Sequence, residues 1–558
     1  MFKTIIHILY SGSPLNLILN IFFLMYFIIL IILYNKINND NKKLKIWKLL
    51  FLVPFIISII HMVIFVSGSA FLILLPIYKY IYISAILILI TPLLIKKKII
   101  YKIYKIIVII ACICFIILSI SSSKITNLTR KSLSESYISL CNYLEKNYIM
   151  NDWKKIDYDK IKNDGLVKVK EAELTGDLEK YYDALSDLVD TFHDGHMSLS
   201  FYTENEYVLN KIKNFNDYGL SLLTLDDGST IAVDVEDNLE INNGDVITKW
   251  NGVPIKEAIK NVKIPNGEAI LDNEKIVKTF YLSGVGNDTV SVSYINDDNQ
   301  ETTINLNKID SPLPRLLKSY STFNHTYDDK KIDYKMLNDD IGYLKIGAEE
   351  INTISDITGY LTGNHKVARE MFRTYLRELR EKGMTKLVID VRNNSGGYDE
   401  ISTSLVSLFT KEKMYAFSLG IKSKNGLKSV DDRYVINDGE FSDIKVLVLT
   451  NMKCASAGDG MVLYLSRIDG IKIVGLTNSS GINQETGGHI YMPKGAIINY
   501  PVGFVLDQNE NPNIDVDYTR KSRNPVDIKI PLDKESALKI FNGEDYELEW
   551  AIDYLNEL

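Results

Sequence analysis

The sequence predicts a multidomain fold in which N-terminal transmembrane helices precede a helical segment, a small β domain and an α/β core. The first 125 residues or so are dominated by Ile, Leu, Phe and Tyr, whereas the rest has an ordinary soluble composition. Behind this apolar part, helical periodicity gives way to short alternating runs, and these give way to alternating strands and helices. A chain of 558 residues is too long for one core. We expect units at residues 1–122, 123–205, 206–310 and 328–558.

Four apolar stretches near the N-terminus are long enough to cross a bilayer, which takes roughly 20 residues each. They lie near residues 17–34, 49–66, 71–95 and 106–120. The first and third connecting loops are rich in lysine, and short lysine-rich loops stay in the cytoplasm. This pattern predicts a multi-pass protein of the cell membrane, held in the lipid bilayer with its catalytic part outside. A cleaved signal peptide is the competing interpretation of the first stretch, but three further stretches follow it.

The polar composition excludes several function classes. The net charge of −7 comes without a basic stripe outside the predicted membrane loops, which argues against nucleic-acid binding. Four cysteines are too few for a disulfide framework. The histidines after the apolar part show no zinc-type spacing, so we expect neither a metal nor another cofactor.

The elements after residue 125 follow from periodicity. Apolar residues at helical spacing predict helices over residues 132–148 and 178–192. In the β domain, Asn-Gly and Asp-Gly pairs mark turns, and residues 243–255 read as strand, tight turn and strand.

The last part alternates between two kinds of element. Predicted strands near residues 341–346, 386–391, 445–450 and 471–475 alternate with predicted helices at 367–382 and 457–468, and a short helix ends the chain. This alternation is typical of a mainly parallel sheet covered by helices.

Three places combine residue types suited to acyl transfer. Residues 387–397 run from a buried strand into a glycine turn, whose N–H groups suit an oxyanion hole. Ser456 lies between a strand and a helix start, close to the positive end of the helix. His196 lies on a tight turn and provides a base. Each has a simpler alternative: an ordinary turn, a helix cap and a structural histidine.

Taken together, residues 387–397, 455–459 and 473–477 resemble the C-terminal processing (tail-specific) serine peptidases. Residues 193–196, 243–255 and 545–552 are similar to the family's histidine signature, its PDZ domain and its terminal helix. The resemblance implies a ClpP/crotonase-like α/β core and a serine peptidase that cleaves unstructured or C-terminal protein segments. The nucleophile matched by motif is Ser456, and the implied oxyanion-hole donors are the N–H groups of Ala457 and of Gly396 or Gly397.

The base differs from the one used by many members of this family. Ser480 stands where they have a lysine, although Gln484 keeps its place in the motif. The branch similar to the tricorn protease core uses a histidine at the position of His196, with an acidic residue late in the chain to orient it. Asp517 is the candidate for that acid, with Asp515 and Glu485 as alternatives.

The PDZ-like segment suggests how a protein or peptide substrate is selected. By this resemblance, a loop at Tyr218, Gly219, Leu220 and Ser221 binds the carboxylate of a C-terminal tail. Two alternatives remain at this stage. One is a catalytically inactive scaffold that kept the fold without the lysine, and the other is a signalling protein in which proteolysis is the output.

Overall fold

The computed structural model describes residues 125–201, 207, 215–264, 267–296, 299–326, 331–423 and 426–558. Within these residues, no helix combines the length and apolar character that crossing a bilayer requires. The longest of them has 18 residues and carries charged side chains along its whole length. The predicted stretches at 17–34, 49–66, 71–95 and 106–120 lie outside the described residues. The predicted fold class with transmembrane helices, and the multi-pass localisation, are corrected accordingly: the described fold is α/β, with a helical unit and a β domain.

The helical unit opens the described part of the chain. Its elements, numbered in chain order, are β1 (Ile125–Asn127), α1 (Leu133–Asn147), α2 (Asn151–Lys154), α3 (Tyr158–Thr175), α4 (Leu178–Thr191) and β2 (Ser198–Phe201). The three long helices begin at Ser132, Asp157 and Asp177, whose side chains accept hydrogen bonds from first-turn N–H groups. Their apolar faces form one core. The helices predicted at 132–148 and 178–192 are α1 and α4.

The β domain is a mostly antiparallel sheet with helices packed on it. Its elements are β3 (Ser221–Thr224), β4 (Thr230–Val233), β5 (Val246–Trp250), β6 (Val253–Pro254), α5 (Ile255–Asn261), α6 (Leu271–Leu282), β7 (Thr289–Ile295), β8 (Glu301–Asn307) and α7 (Arg315–Phe323). The strand order is β3-β4-β5-β7-β8, with β6 paired to β5. The tight turn expected within residues 243–255 joins β5 to β6. Its two residues, Asn251 and Gly252, both have positive φ angles, as such turns require.

The α/β core occupies the rest of the chain. Its elements are β9 (Ile332–Met336), β10 (Ile341–Ile346), α8 (Thr353–Thr362), α9 (Lys366–Glu381), β11 (Lys386–Asp390), α10 (Asp399–Val406), β12 (Met414–Ser423), β13 (Gly426–Val435), β14 (Lys445–Leu449), α11 (Ala457–Ser466), β15 (Lys472–Gly475), β16 (Gly488–Tyr491), β17 (Ala496–Tyr500), β18 (Phe504–Leu506), β19 (Ile528–Lys529), α12 (Lys534–Phe541) and α13 (Tyr546–Glu557). The four predicted strands and two predicted helices are found here within two residues at each end.

The central sheet brings three loops to one edge. Its strand order is β19-β15-β14-β11-β10-β9, and every pair except β10 with β9 is parallel. Because β11, β14 and β15 are parallel neighbours, the loops that follow them leave from the same edge, where ligands bind in sheets of this kind. A second sheet, β1-β16-β17-β2, joins the helical unit to the core. The site therefore forms where these loops meet the helical unit.

Candidate active site

Ser456 lies in a strained turn between β14 and α11. Its φ and ψ angles are 59° and −126°, a conformation that costs a non-glycine residue energy and persists only where the surroundings fix it. Its N–H donates to the carbonyl of Ile482 at 2.9 Å. Its side chain makes no capping hydrogen bond to α11. The simple helix-cap interpretation is therefore not supported by the contacts, and the hydroxyl is left available for chemistry.

The glycine turn after β11 lies directly against Ser456. A Cβ atom built on Gly396 would lie 2.5 Å from the Cβ of Ser456 and 3.1 Å from the nitrogen of Ala457. The N–H of Gly396 donates to the side chain of Asn394 at 2.8 Å. Within the described residues, the N–H groups of Gly397 and Ala457 have no acceptor. Of the donors considered from the sequence, these two N–H groups are the ones left for an oxyanion.

Hydrogen bonds from the side chain of Asn394 fix the glycine turn to Glu349 and to strand β10. The Asn394 amide donates to the carbonyl of Ile346 at 3.0 Å and to Glu349 Oε1 at 2.8 Å. Glu349 is fully buried, and this burial raises its pKa to about 8. Motif analysis gave neither residue a role, because their function depends on contacts across two strands.

His196 lies on the turn that follows α4. Its N–H donates to Asp194 Oδ1 at 2.9 Å, and the hydroxyl of Tyr148 donates to Asp194 Oδ2 at 2.7 Å. A Cβ atom on the adjacent Gly195 would lie 2.5 Å from the side chain of Ile482, whose carbonyl accepts the N–H of Ser456. The histidine turn and the serine turn are therefore in contact through Ile482.

The acidic candidates are placed very differently. Asp515 is fully buried, and its Oδ2 accepts hydrogen bonds from the N–H of Asn483 at 2.9 Å and from the Gln484 amide at 2.7 Å. Asp517 accepts only from its own turn, at Thr519. Glu485 accepts from the hydroxyl of Tyr360 at 3.0 Å.

The charge of the histidine turn acts on the carboxylate of Asp515. Burial raises its pKa, nearby Asp194 adds to the effect, and the charges of Lys154 and His196 oppose it. Its Oδ1 and the Nδ1 of His196 are both buried atoms without a hydrogen-bond partner in the described part of the chain. An imidazole N–H and a carboxylate oxygen can satisfy each other, so these two atoms are candidates for a mutual hydrogen bond.

Motif reading gave no role to Lys154 or to Asp459, although Asp459 ends the motif at residues 455–459. The Lys154 ammonium donates to the carbonyl of His193 at 2.9 Å, and burial lowers its pKa. Asp459 accepts from the N–H groups of Gly481 and Ile482, which fixes the segment against Ser456. Burial raises the pKa of Asp459 to about 7. The roles of both residues depend on contacts with distant segments, which local spacing in the sequence does not show.

Ser480 and Cys454 also lie close to the serine turn. Ser480 donates its backbone N–H to the carbonyl of Cys454 at 2.8 Å and lines the cavity beside the serine. Cys454 is fully buried, and burial raises the pKa of its thiol well above the ordinary value, which opposes a thiolate. No cluster of three or more potential metal ligands exists within the described residues.

The expected carboxylate loop of the β domain already binds a carboxylate of its own chain. The N–H of Gly219 donates to Asp217 Oδ1 at 2.8 Å. Arg315 pairs with Asp217 at 3.3 Å and with Asp234 at 3.2 Å. A hydrogen bond of 2.8 Å joins Thr224 of β3 to Thr279 of α6, across the strand and helix between which a tail would enter.

The side chains of that loop point into the domain. Tyr218, Leu220 and Ser221 are buried. The loop is thus packed as part of the β-domain core.

Comparisons with known proteins show what this chain resembles in sequence and in fold. Residues 340–519 match the model of peptidase family S41. No curated protein matches the chain. Structures of mature CPAF complexed with lactacystin and of a CPAF mutant are similar, with TM-scores of 0.50 and 0.51 at 14% and 13% identity. They cover 74% and 75% of this chain and 97% and 96% of their own.

The photosystem II D1 C-terminal processing protease also matches, with a TM-score of 0.32 and 14% identity over 73% of this chain and 94% of its own. At such identities, the CPAF structures show the fold alone.

Proposed function

We propose that this protein, which is a serine-type peptidase, cleaves extended protein segments through an acyl-enzyme at Ser456. His196 acts as the general base and Asp515 orients it. The observation that carries the proposal is a pair of buried atoms without partners among the described residues, His196 Nδ1 and Asp515 Oδ1, together with a serine in a strained turn that contacts the histidine turn through Ile482.

The chemistry follows from these roles. His196 Nε2 takes the Ser456 proton as the hydroxyl oxygen attacks the substrate carbonyl, and later gives it to the leaving amine. The N–H groups of Gly397 and Ala457 stabilise the oxyanion, helped by the positive end of α11. Water then hydrolyses the ester, and His196 serves again as base. This arrangement needs no lysine at position 480 and corresponds to the tricorn-core-like branch.

Substrate selection by a C-terminal carboxylate receives no support from the loop at Tyr218, because Asp217 and Arg315 already satisfy one another there. We therefore place recognition in the cleft beside Ser456. Extended, unfolded segments fit such a cleft because their backbone is free of internal hydrogen bonds.

The proposal predicts distinct effects for two aspartates that lie two positions apart. Asp515→Asn should lower kcat roughly 10²–10⁴-fold, because an amide favours the wrong imidazole tautomer. Asp517→Asn should change kcat less than threefold, because its carboxylate only accepts from Thr519. Steady-state cleavage of an unfolded protein by the full chain measures both, with Ser456→Ala as the inactive reference.

Equal cleavage by the wild type and Ser456→Ala would end the assignment of the nucleophile. A larger loss in Asp517→Asn than in Asp515→Asn would end only the assignment of the acid.

A further inference from the structure

A cavity of about 210 Å³ opens beside the serine turn. Its lining comes from three parts of the chain: the turn that carries His196, the segment 267–269 of the β domain, and the loops after β14 and β15. A water molecule takes up roughly 30 Å³ in the liquid, so the cavity has room for several water molecules or for one amino-acid side chain. The neighbours of Ser456, Ala455 and Ile482, are in its wall, so a side chain next to the scissile bond would enter it.

Glu268 is the unexplained group in this cavity. Glu268 lines the space and is partly exposed, and no hydrogen bond or ion pair joins its carboxylate to another described residue. Burial raises its pKa, with Glu274 adding to the effect and the charges of Lys453 and Arg520 opposing it. Such a carboxylate gains free energy when a cation enters.

The segment that carries Glu268 is fixed in place. Arg520 donates to the backbone carbonyl of Glu268 at 2.6 Å and to that of Ala269 at 3.1 Å, and it also pairs with Glu274. The N–H of Gly267 donates to Asp190 at 3.3 Å. A side chain held on such a fixed segment can select a substrate, because little of the interaction energy is lost in ordering it.

The other charges at the cavity are already engaged. Asp194 accepts hydrogen bonds from Tyr148 and from the N–H of His196. The Lys453 ammonium lies 4.8 Å from the centre of the Tyr320 ring, an attractive cation–π contact. Glu268 is thus the charged side chain of the cavity without a direct partner among the described residues.

We propose that this cavity binds a lysine or arginine side chain of the substrate residue next to the scissile bond, with Glu268 as the acceptor of its charge. This inference rests on the function proposed for Ser456. The walls at Val189, Met197 and Met452 are apolar. Lysine and arginine combine an aliphatic stem with a charged head, so the stem would lie along these side chains and the head would reach the carboxylate.

The test uses the full chain and a set of N-acetylated quenched peptides that differ at one position, occupied by Lys, Arg, Met or Glu. We expect kcat/KM for Lys and Arg to exceed that for Met by at least tenfold. Glu268→Gln should bring this ratio close to one. The matched control is Glu257→Gln, an exposed position of the same domain, which should keep the ratio of the wild type.

The pH dependence of the ratio separates a charge effect from a change of shape. Because the pKa of Glu268 is raised, its carboxyl becomes neutral as the pH falls, and the preference for Lys over Met should shrink. Peptides with a free N-terminus distinguish binding of an α-ammonium group from binding of a side chain.

The possible results distinguish failure of this inference from failure of the proposed function. Ser456-dependent cleavage without a basic preference, or with a preference for Glu, overturns this inference and leaves the proposed function standing. A preference seen only with a free N-terminus also overturns it. No difference between the wild type and Ser456→Ala on any peptide overturns both proposals.

Discussion

At the scale of single residues, Gly396 shows how the oxyanion turn depends on the lack of a side chain. Its φ angle is +87°, and an added Cβ would lie within 2.5 Å of Ser456. Gly470 has the same φ angle, but nothing lies within 4 Å of its added Cβ. Alanine substitution at the two positions therefore separates the energetic cost of a left-handed backbone from the energetic cost of a clash.

Gly396→Ala should lower the free energy of unfolding by about 2–4 kcal/mol, through left-handed strain and a clash with the serine turn. It should also lower kcat at least 100-fold, because Ser456 must move. Gly470→Ala should cost only about 1–2 kcal/mol and keep full activity. Urea unfolding and peptide cleavage measure the two effects. Full activity in Gly396→Ala would show that the turn does not need this close approach.

The choice between Asp515 and Asp517 is also made at this scale. The two carboxylates lie two positions apart, and sequence reading favoured the later one. Burial separates them: Asp515 is fully enclosed next to the histidine turn, whereas Asp517 is partly exposed and caps its own turn. A single sequence contains no signal for this difference, because it arises from contacts with distant segments.

At the scale of elements, the terminal helix α13 is held to the central sheet by a buried charge network. Arg392, which follows β11, pairs with Asp545 at 2.7 Å, Asp390 at 2.7 Å and Glu547 at 3.2 Å. Asp545 also caps α13 by accepting the N–H of Leu548. The arginine lowers the pKa of Asp545 to about 2 against the effect of burial. One side chain thus fixes the helix and supports the strand that leads into the oxyanion turn.

Asp545→Ala should lower the free energy of unfolding by about 2 kcal/mol, since it removes the cap and leaves part of a buried charge uncompensated. Asp553→Ala provides the control, because Asp553 is an exposed residue of the same helix. It should change stability by less than about 0.5 kcal/mol. Similar midpoints for the two variants in urea unfolding would contradict this role of the network.

The long hairpin of β12 and β13 was not expected from the sequence. Its ten-residue strands pair along their whole length. Strand β18, almost 90 residues later in the chain, pairs with the other edge of β12. Strand β13 carries polar residues on both faces and shows no clear alternation. Because its sequence lacks a pattern of period two, this strand is recognised only from its pairing with β12.

At the scale of the whole molecule, buried acids make stability depend on pH. Glu349, Glu400 and Asp459 are buried, and burial raises their pKa values to about 8, 7 and 7. In the unfolded chain, such groups titrate near 4. Their contribution is therefore fully present below about pH 4 and is lost as the pH rises through 7–8. His193, whose pKa burial lowers to about 4, acts in the opposite sense only below about pH 6.5.

The free energy of unfolding should therefore fall between pH 6.5 and 8.5. Glu349→Gln should flatten this fall, because the amide oxygen can still accept from Asn394 and no proton has to be lost. Chemical unfolding at several pH values measures the slope. An unchanged slope in the variant would exclude Glu349 as a source of the pH dependence.

The amino-acid sequence alone predicts the α/β alternation, the positions of the main strands and helices, and the class of chemistry. Local patterns carry this information, because periodicity, turn residues and short motifs reflect burial along one element. The predicted fold class with membrane-spanning helices was wrong: within the described residues, no helix is long and apolar enough to cross a bilayer. Only the folded chain shows that Asp515 is buried, that the N–H groups of Gly397 and Ala457 have no acceptor among the described residues, and that Glu268 has no direct partner among them. Those facts depend on contacts between segments hundreds of residues apart, and only the packing of the folded chain sets them.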